Sequence, residues 1–161
     1  MHTELIALRL VHILLGVFWA GSLVFMAVFL EPSLRAAGPA GAPVMQQLAA
    51  RRLLQIMPVV ALVTILSGLR LMAIMSNGFT GEWMRSRSGT AYSVGAAAAL
   101  LAFGMGILVM RPTMKRLMLI GADPARASEA QVLRLRSTRT GQIVAVLLTI
   151  TAAAMAIGRY L

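Results

Sequence analysis

The chain has 161 residues, of which 59% are hydrophobic and 12% are charged, and its formal net charge is +10. A soluble domain is about half apolar and a quarter charged, so this composition excludes an ordinary soluble domain and indicates a membrane protein with several spans. The chain has no cysteine, which excludes disulfides, thiolate metal sites, iron–sulfur clusters and covalently attached c-type haem.

Four apolar segments of membrane-spanning length follow one another along the chain. We therefore predict an all-α fold, a polytopic membrane protein whose single domain, residues 1–161, is a four-transmembrane-helix bundle. No separate soluble domain is expected, and no nucleic-acid-binding motif accompanies the positive charge, so we expect no nucleic acid partner. The predicted spans are residues 5–30, 53–75, 91–110 and 141–158.

Prolines mark most of the predicted helix ends. Span one is expected to stop at Glu31-Pro32, because proline disfavours helix in the residue before it, and span three at Arg111-Pro112. Pro43 is suited to the first turn of the next helix, which is polar at first and becomes apolar from Leu53. Asp123-Pro124 predicts an N-cap and a first helical residue for the helix that carries span four.

A faint internal repeat relates the two halves of the chain. The sequence Glu31-Pro32-Ser33-Leu34 matches Arg111-Pro112-Thr113-Met114, and VVALVTI at residues 59–65 matches VAVLLTI at residues 144–150. Apolar helices with proline at their ends also resemble each other by chance. Because the matches keep their order and nearly their spacing, we predict two pseudo-repeated helical hairpins, related by an axis along the membrane normal.

The basic residues are distributed unevenly between the two sides of the predicted bundle. By the positive-inside rule, the side richer in lysine and arginine is cytoplasmic, so both termini are expected on the periplasmic side of a bacterial inner membrane. The richer side holds Arg35, Arg51, Arg52, Arg111, Lys115, Arg116, Arg126, Arg134, Arg136 and Arg139, and the other side and the spans hold Arg9, Arg70, Arg85, Arg87 and Arg159.

His12 is an ionisable residue inside the first span, where such a side chain is costly without a partner. Arg9, Gly16 and Trp19 share its helix face at about 100° per residue. Three interpretations of His12 stay open: a structural hydrogen bond to a neighbouring helix, an axial ligand of haem iron, or a proton carrier or copper ligand. Gly16 fits either close helix packing or space for a flat ligand beside the imidazole.

Two arginines are expected near the depth of His12. Arg9 lies one turn outward on the same face, and Arg70 lies at nearly the same depth on span two. Guanidinium groups bind carboxylates bidentately, so both residues suit the propionates of a haem whose ring lies in the apolar bundle. The alternative for each arginine is to extend its aliphatic stem toward the lipid head groups.

The second axial position of such a haem has weaker candidates. His2 precedes His12 by ten residues, about 15 Å along a helix, so the two histidines of one chain cannot clamp one iron. The repeat places Tyr92 at the position of His12 and Met155 opposite Arg70. Tyrosine is also a common interfacial anchor, and methionine is a common apolar filler.

The segment from His12 to Gly21, HILLGVFWAG, with Phe25 and Pro32 beyond it, resembles the first helix of a loose bacterial superfamily. That superfamily includes HemJ-type membrane protoporphyrinogen oxidases, CopD-like copper resistance domains and many small four-span proteins. The resemblance implies a four-helix membrane protein and, for the HemJ branch, b-type haem ligated by the histidine matching His12. This chain lacks the further histidine and the third-helix lysine of that branch, so porphyrinogen oxidase activity is not expected.

The leading hypothesis is an integral membrane protein that binds haem b and acts in electron transfer or haem handling. If it is an enzyme, it is a haem-dependent membrane oxidoreductase. Membrane lipid and a quinone or redox protein are the expected partners, and Gly95, Gly104 and Gly106 offer small-residue surfaces for a homodimer. One alternative is a non-redox membrane subunit or small transporter with a structural histidine, and a second is copper handling.

Overall fold

The computed structural model describes residues 2–120 and 123–161. Every regular element in these two ranges is helical. Four of the helices are long and apolar enough to cross a membrane, which confirms the predicted all-α, multi-pass membrane protein. The helices are α1 (His2–Ala36), α2 (Ala42–Ala50), α3 (Leu53–Met75), α4 (Gly81–Arg85), α5 (Arg87–Ile120) and α6 (Pro124–Gly158).

The four long helices form an up-and-down bundle. Helix α1 packs along α3, α5 packs along α6, and contacts of α1 with α6 and of α3 with α5 close the ring. Both chain termini therefore lie at one end of the bundle, here called the terminal end, and the opposite end is called the basic end. All four helices contribute to the buried core, which consists of Trp19, Ala61, Ile65, Ala99, Ala102, Val144 and Leu148.

A π-helical segment interrupts both α1 and α5 at equivalent positions. The segments are Met26–Leu30 and Gly106–Met110, 80 residues apart. In each, the next backbone N–H bonds five residues back, from Glu31 to the carbonyl of Met26 and from Arg111 to that of Gly106. The same irregularity at the offset of the sequence repeat supports two related hairpins.

The prolines do not end these helices as the sequence predicts. Helix α1 continues through Pro32 to Ala36, and α5 continues through Pro112 to Ile120. The π-helical segment shifts the hydrogen-bond register, so Pro32 falls in the first turn of a new α-helical segment. Proline is tolerated there because its missing N–H would have no partner within the helix.

The predicted polar extension of the second span is a separate helix. The sequence favours one helix from Pro43 into the second span, but the structure breaks it after α2, where Arg52 adopts φ 61°. A left-handed residue cannot continue an α-helix, so α3 begins afresh at Leu53. The predicted cap at Asp123 is confirmed, because its carboxylate accepts a hydrogen bond from the backbone N–H of Ala125 at 2.9 Å.

Candidate functional site

The imidazole of His12 lies between α1 and α3, partly buried. Its Nδ1 is 2.8 Å from the backbone carbonyl oxygen of Thr64 and 3.5 Å from Oγ of Ser67. A carbonyl oxygen only accepts hydrogen bonds, so Nδ1 carries the hydrogen and donates it to Thr64. Nε2 is the ring nitrogen that is not engaged with Thr64.

Gly68 makes room for this imidazole on α3. A Cβ atom built at Gly68 would lie 2.6 Å from Cε1 and 3.0 Å from Nδ1 of His12, so a larger residue there would displace the ring. The count of helix turns that places Arg70 near the depth of His12 also places Gly68 there. Sequence reasoning missed this glycine because it considered only the polar residues of α3.

Gly16 contacts α3 one turn from His12, where α1 and α3 approach each other closely. A Cβ atom built at Gly16 would lie 3.5 Å from Cγ2 of Thr64, which is ordinary van der Waals distance. The contact fits the close-packing interpretation of Gly16.

The hydroxyl groups beside His12 bond to their own helix. Oγ1 of Thr64 donates to the carbonyl oxygen of Val60 at 2.8 Å. Oγ of Ser67 lies 2.8 Å from the carbonyl oxygen of Val63 and 3.0 Å from that of Thr64. The Thr64 carbonyl is thus the point where the imidazole and the α3 backbone meet.

The two arginines expected near His12 are exposed. Arg70 donates from Nε and Nη2 to Oε1 of Glu4, at 3.0 Å and 2.7 Å. Glu4 precedes His12 by eight residues, about 12 Å along a helix, so the guanidinium of Arg70 extends toward the terminal end. Arg70 therefore already holds a carboxylate, and Glu4 is a second residue that sequence reasoning missed.

An apolar groove of about 490 Å³ runs between α1 and α3 near the terminal end. Ser67 belongs both to this groove and to the surroundings of His12, and Glu4 is the charged residue of its lining. The groove is lined by Glu4, Ala7, Leu8, Val11, Val63, Leu66 and Ser67.

The other predicted site residues have packing contacts elsewhere. Trp19 is 4% exposed and belongs to the central core. Tyr92 stacks on Trp83 with ring centroids 6.1 Å apart, and its ring lies against Gly158. Cε of Met155 would be 3.1 Å from a Cβ built at Gly95. The contacts of Tyr92 and Met155 are thus with α4, α5 and α6, whereas those of His12 are with α3.

The site offers one imidazole whose Nδ1 donates to the Thr64 carbonyl, with an apolar groove between the same two helices. Among the described residues, no group of three or more histidine, aspartate or glutamate side chains could hold a metal ion. No family model, curated protein or solved structure matches the chain.

Proposed function

We propose that this chain is a membrane protein that binds haem b through His12 and takes part in electron transfer or haem handling. The observation that supports the proposal is the hydrogen bond from Nδ1 of His12 to the Thr64 carbonyl. Histidines that ligate metals almost always donate their other ring N–H to a carbonyl, carboxylate or water, which fixes the tautomer and orients the ring. His12 meets this requirement with Nε2 as the ligand atom.

The surrounding residues fit such a group. The apolar groove between α1 and α3 shares Ser67 with the surroundings of His12 and would lie beside the macrocycle. Gly16 and Gly68 allow the two helices to approach closely around His12. Arg9 and Arg70 would bind the propionates, with Arg70 exchanging Glu4 for a propionate. Trp19 would anchor α1 in the core below the site. Tyr92 and Met155 contact α4, α5 and α6 instead, so the proposal does not assign them to the iron.

When bound, haem b supplies one-electron chemistry. The chain's own contribution is to hold Nε2 in a fixed direction, to surround the site with apolar side chains and to balance propionate charge. The uneven distribution of basic residues supports an inner-membrane location with both termini in the periplasm. A quinone or a redox protein would then be the electron partner.

A visible spectrum of the protein tests this proposal. We expect protein purified in mild detergent from haem-replete cells to show a Soret band in oxidised and reduced forms. His12→Ala should abolish the band, and His2→Ala, a matched loss of the other histidine, should leave it unchanged. A colourless wild-type protein that takes up no haem on titration would contradict the proposal.

A non-redox membrane subunit or small transporter with a structural histidine is the second candidate. The same hydrogen bond favours it, because Nδ1 of His12 ties α1 to α3, and Glu4 already satisfies Arg70. His12→Asn separates the two candidates, since asparagine can donate to the Thr64 carbonyl but cannot replace Nε2 as an iron ligand. Haem ligation predicts a Soret band in the wild type that His12→Asn abolishes. A structural role predicts no band in either protein and a stability of His12→Asn close to that of the wild type.

A further inference from the structure

A basic groove of about 430 Å³ lies between the end of α5 and the start of α6. It is at the basic end of the bundle, whereas His12 lies toward the terminal end. The groove has both cationic and apolar walls. It is lined by Pro112, Lys115, Arg116, Leu119, Ile120 and Arg126.

The charge of the groove is positive after its internal ion pairs are counted. Arg116 donates from Nε to Glu129 at 2.6 Å, and Arg126 donates from Nη2 to the same carboxylate at 2.8 Å. These two hydrogen bonds lower the pKa of Glu129, which lies in the polar part of α6. With Lys115, three cations thus meet one ionised carboxylate. Asp123, the nearest other acid in the chain, accepts a hydrogen bond from the N–H of Ala125.

One face of α5 connects the groove to the lipid-facing surface. Leu108, Pro112, Lys115 and Leu119 follow one another at spacings of four, three and four, which places them on a single helix face. The side chains of Leu108 and Leu119 are 75% and 84% exposed. The face therefore carries an exposed apolar residue on either side of Pro112 and Lys115.

The depth of the groove matches the head-group layer. Lys115 lies five residues, about 8 Å along the helix, beyond the end of the apolar run at Met110. The head-group layer is about 5–8 Å thick on each side of the hydrocarbon core. The phosphate of a lipid would thus be at the level of Lys115 while its chains lie along Leu108.

We infer that the basic groove is a binding site for one anionic phospholipid, whose phosphate is bound by Lys115, Arg116 and Arg126 and whose acyl chains follow the Leu108 face of α5. Glu129 holds the two guanidinium groups in place and leaves a net positive charge for the ligand. Basic pockets on transmembrane helices bind anionic head groups in this way.

Native mass spectrometry of the purified full-length protein with phosphatidylglycerol and phosphatidylcholine tests the inference. We expect one phosphatidylglycerol to be retained in preference to phosphatidylcholine. Lys115→Ala together with Arg126→Ala should weaken this binding about tenfold or more. The control is Arg134→Ala together with Arg136→Ala, which removes the same charge from exposed positions of α6 outside the groove and should change binding less than twofold.

Several results would overturn the inference. Equal retention of the two lipids, or equal losses in the groove and control variants, would mean that no specific site exists. Competition by millimolar inorganic phosphate as effective as that by the lipid would assign the groove to a free anion. Binding of a polyglutamate peptide that depends on Lys115, without phosphatidylglycerol binding, would assign it to an acidic protein partner. Circular dichroism verifies folding, and Lys115→Gln replaces the double variant if that variant is unfolded.

Discussion

The first hairpin, α1 with α3, and the second hairpin, α5 with α6, use one architecture for different contacts. Each has a π-helical segment near the basic end, and each packs a ring against a glycine near the terminal end. In the first hairpin the imidazole of His12 lies on Gly68, and in the second the phenol ring of Tyr92 lies on Gly158. Each hairpin thus accommodates a ring beside a glycine, and of the two rings only the imidazole contains nitrogen.

The hairpins also differ in what joins their helices. The first is linked by the His12 hydrogen bond and by the ion pair of Glu4 with Arg70. In the second, the Thr151 hydroxyl donates to the carbonyl oxygen of Gly95 at 3.1 Å, and Arg116 of α5 pairs with Glu129 of α6 at 2.6 Å. Helix α1 is also the least buried of the four spans. The polar contacts of the first hairpin thus lie toward the terminal end, whereas the second hairpin also has an ion pair toward the basic end, and four predictions test this difference.

The largest effect is expected where the hairpins meet. Trp19 of α1 packs in the core formed with residues of α3, α5 and α6. Trp19→Ala leaves a cavity there and should lower the free energy of unfolding by about 3 kcal/mol. Denaturant unfolding in detergent measures this loss. Phe18→Ala is the matched control, because Phe18 is 48% exposed, and equal losses in the two variants would show that the hairpins do not share this core.

The destabilisation caused by adding a methyl group at Gly68 or Gly158, the glycines that lie against the two rings, should follow the contact distance. A Cβ at Gly68 meets the imidazole at 2.6 Å, whereas one at Gly158 meets the Tyr92 ring at 3.0 Å. Gly68→Ala should therefore lower the free energy of unfolding by about 2 kcal/mol, and Gly158→Ala should lower it by less. Gly21→Ala is the control, since a Cβ there meets nothing within 4 Å among the described residues. A larger loss of unfolding free energy in Gly158→Ala than in Gly68→Ala would contradict this prediction.

The His12 hydrogen bond should contribute measurably to the first hairpin. His12→Ala removes the donor to Thr64 and should lower the free energy of unfolding by about 1 kcal/mol, as side-chain hydrogen bonds between membrane helices do. His12→Asn should recover most of that loss. Tyr92→Phe keeps the ring in the second hairpin and should be neutral. A loss in His12→Asn as large as that in His12→Ala would point to ring packing rather than the hydrogen bond.

The smallest stability effect is expected at the Glu4–Arg70 ion pair. Its side chains are 42% and 57% exposed, so Glu4→Gln or Arg70→Gln should lower the free energy of unfolding by less than about 0.5 kcal/mol, and less still at high salt. Under the haem proposal the two variants differ in haem retention. Arg70→Gln should weaken it, whereas Glu4→Gln frees the guanidinium and should strengthen it. Equal haem retention in the two variants would show that Arg70 does not bind the haem.

Much of the fold could be predicted from apolar run length and proline position. The second span, residues 53–75, agrees with α3 as it stands, and the Asp123 cap is confirmed. The continuation of α1 and α5 past Pro32 and Pro112 could not be predicted, because a π-helical segment has no distinctive residue pattern. It depends on which backbone N–H groups donate to the carbonyls that precede the proline. The left-handed Arg52 likewise has no signal of its own.

The candidate site was predicted in part. His12 stands out because an ionisable residue within a span needs a partner, and its helix face follows from its spacing. Gly68, the Thr64 carbonyl and Glu4 did not stand out, because an apolar span contains many glycines, every residue has a carbonyl, and an exposed glutamate near a terminus usually has no specific partner.

The sequence by itself determined the number of spans, the repeat and the one histidine within them, because these depend on local hydrophobicity and residue type. Only the tertiary structure decided what lies opposite His12, that Trp19 belongs to the central core and that Arg70 pairs with Glu4. Those outcomes depend on the rotation and relative height of helices that are distant in sequence, which apolar side chains of similar size do not specify.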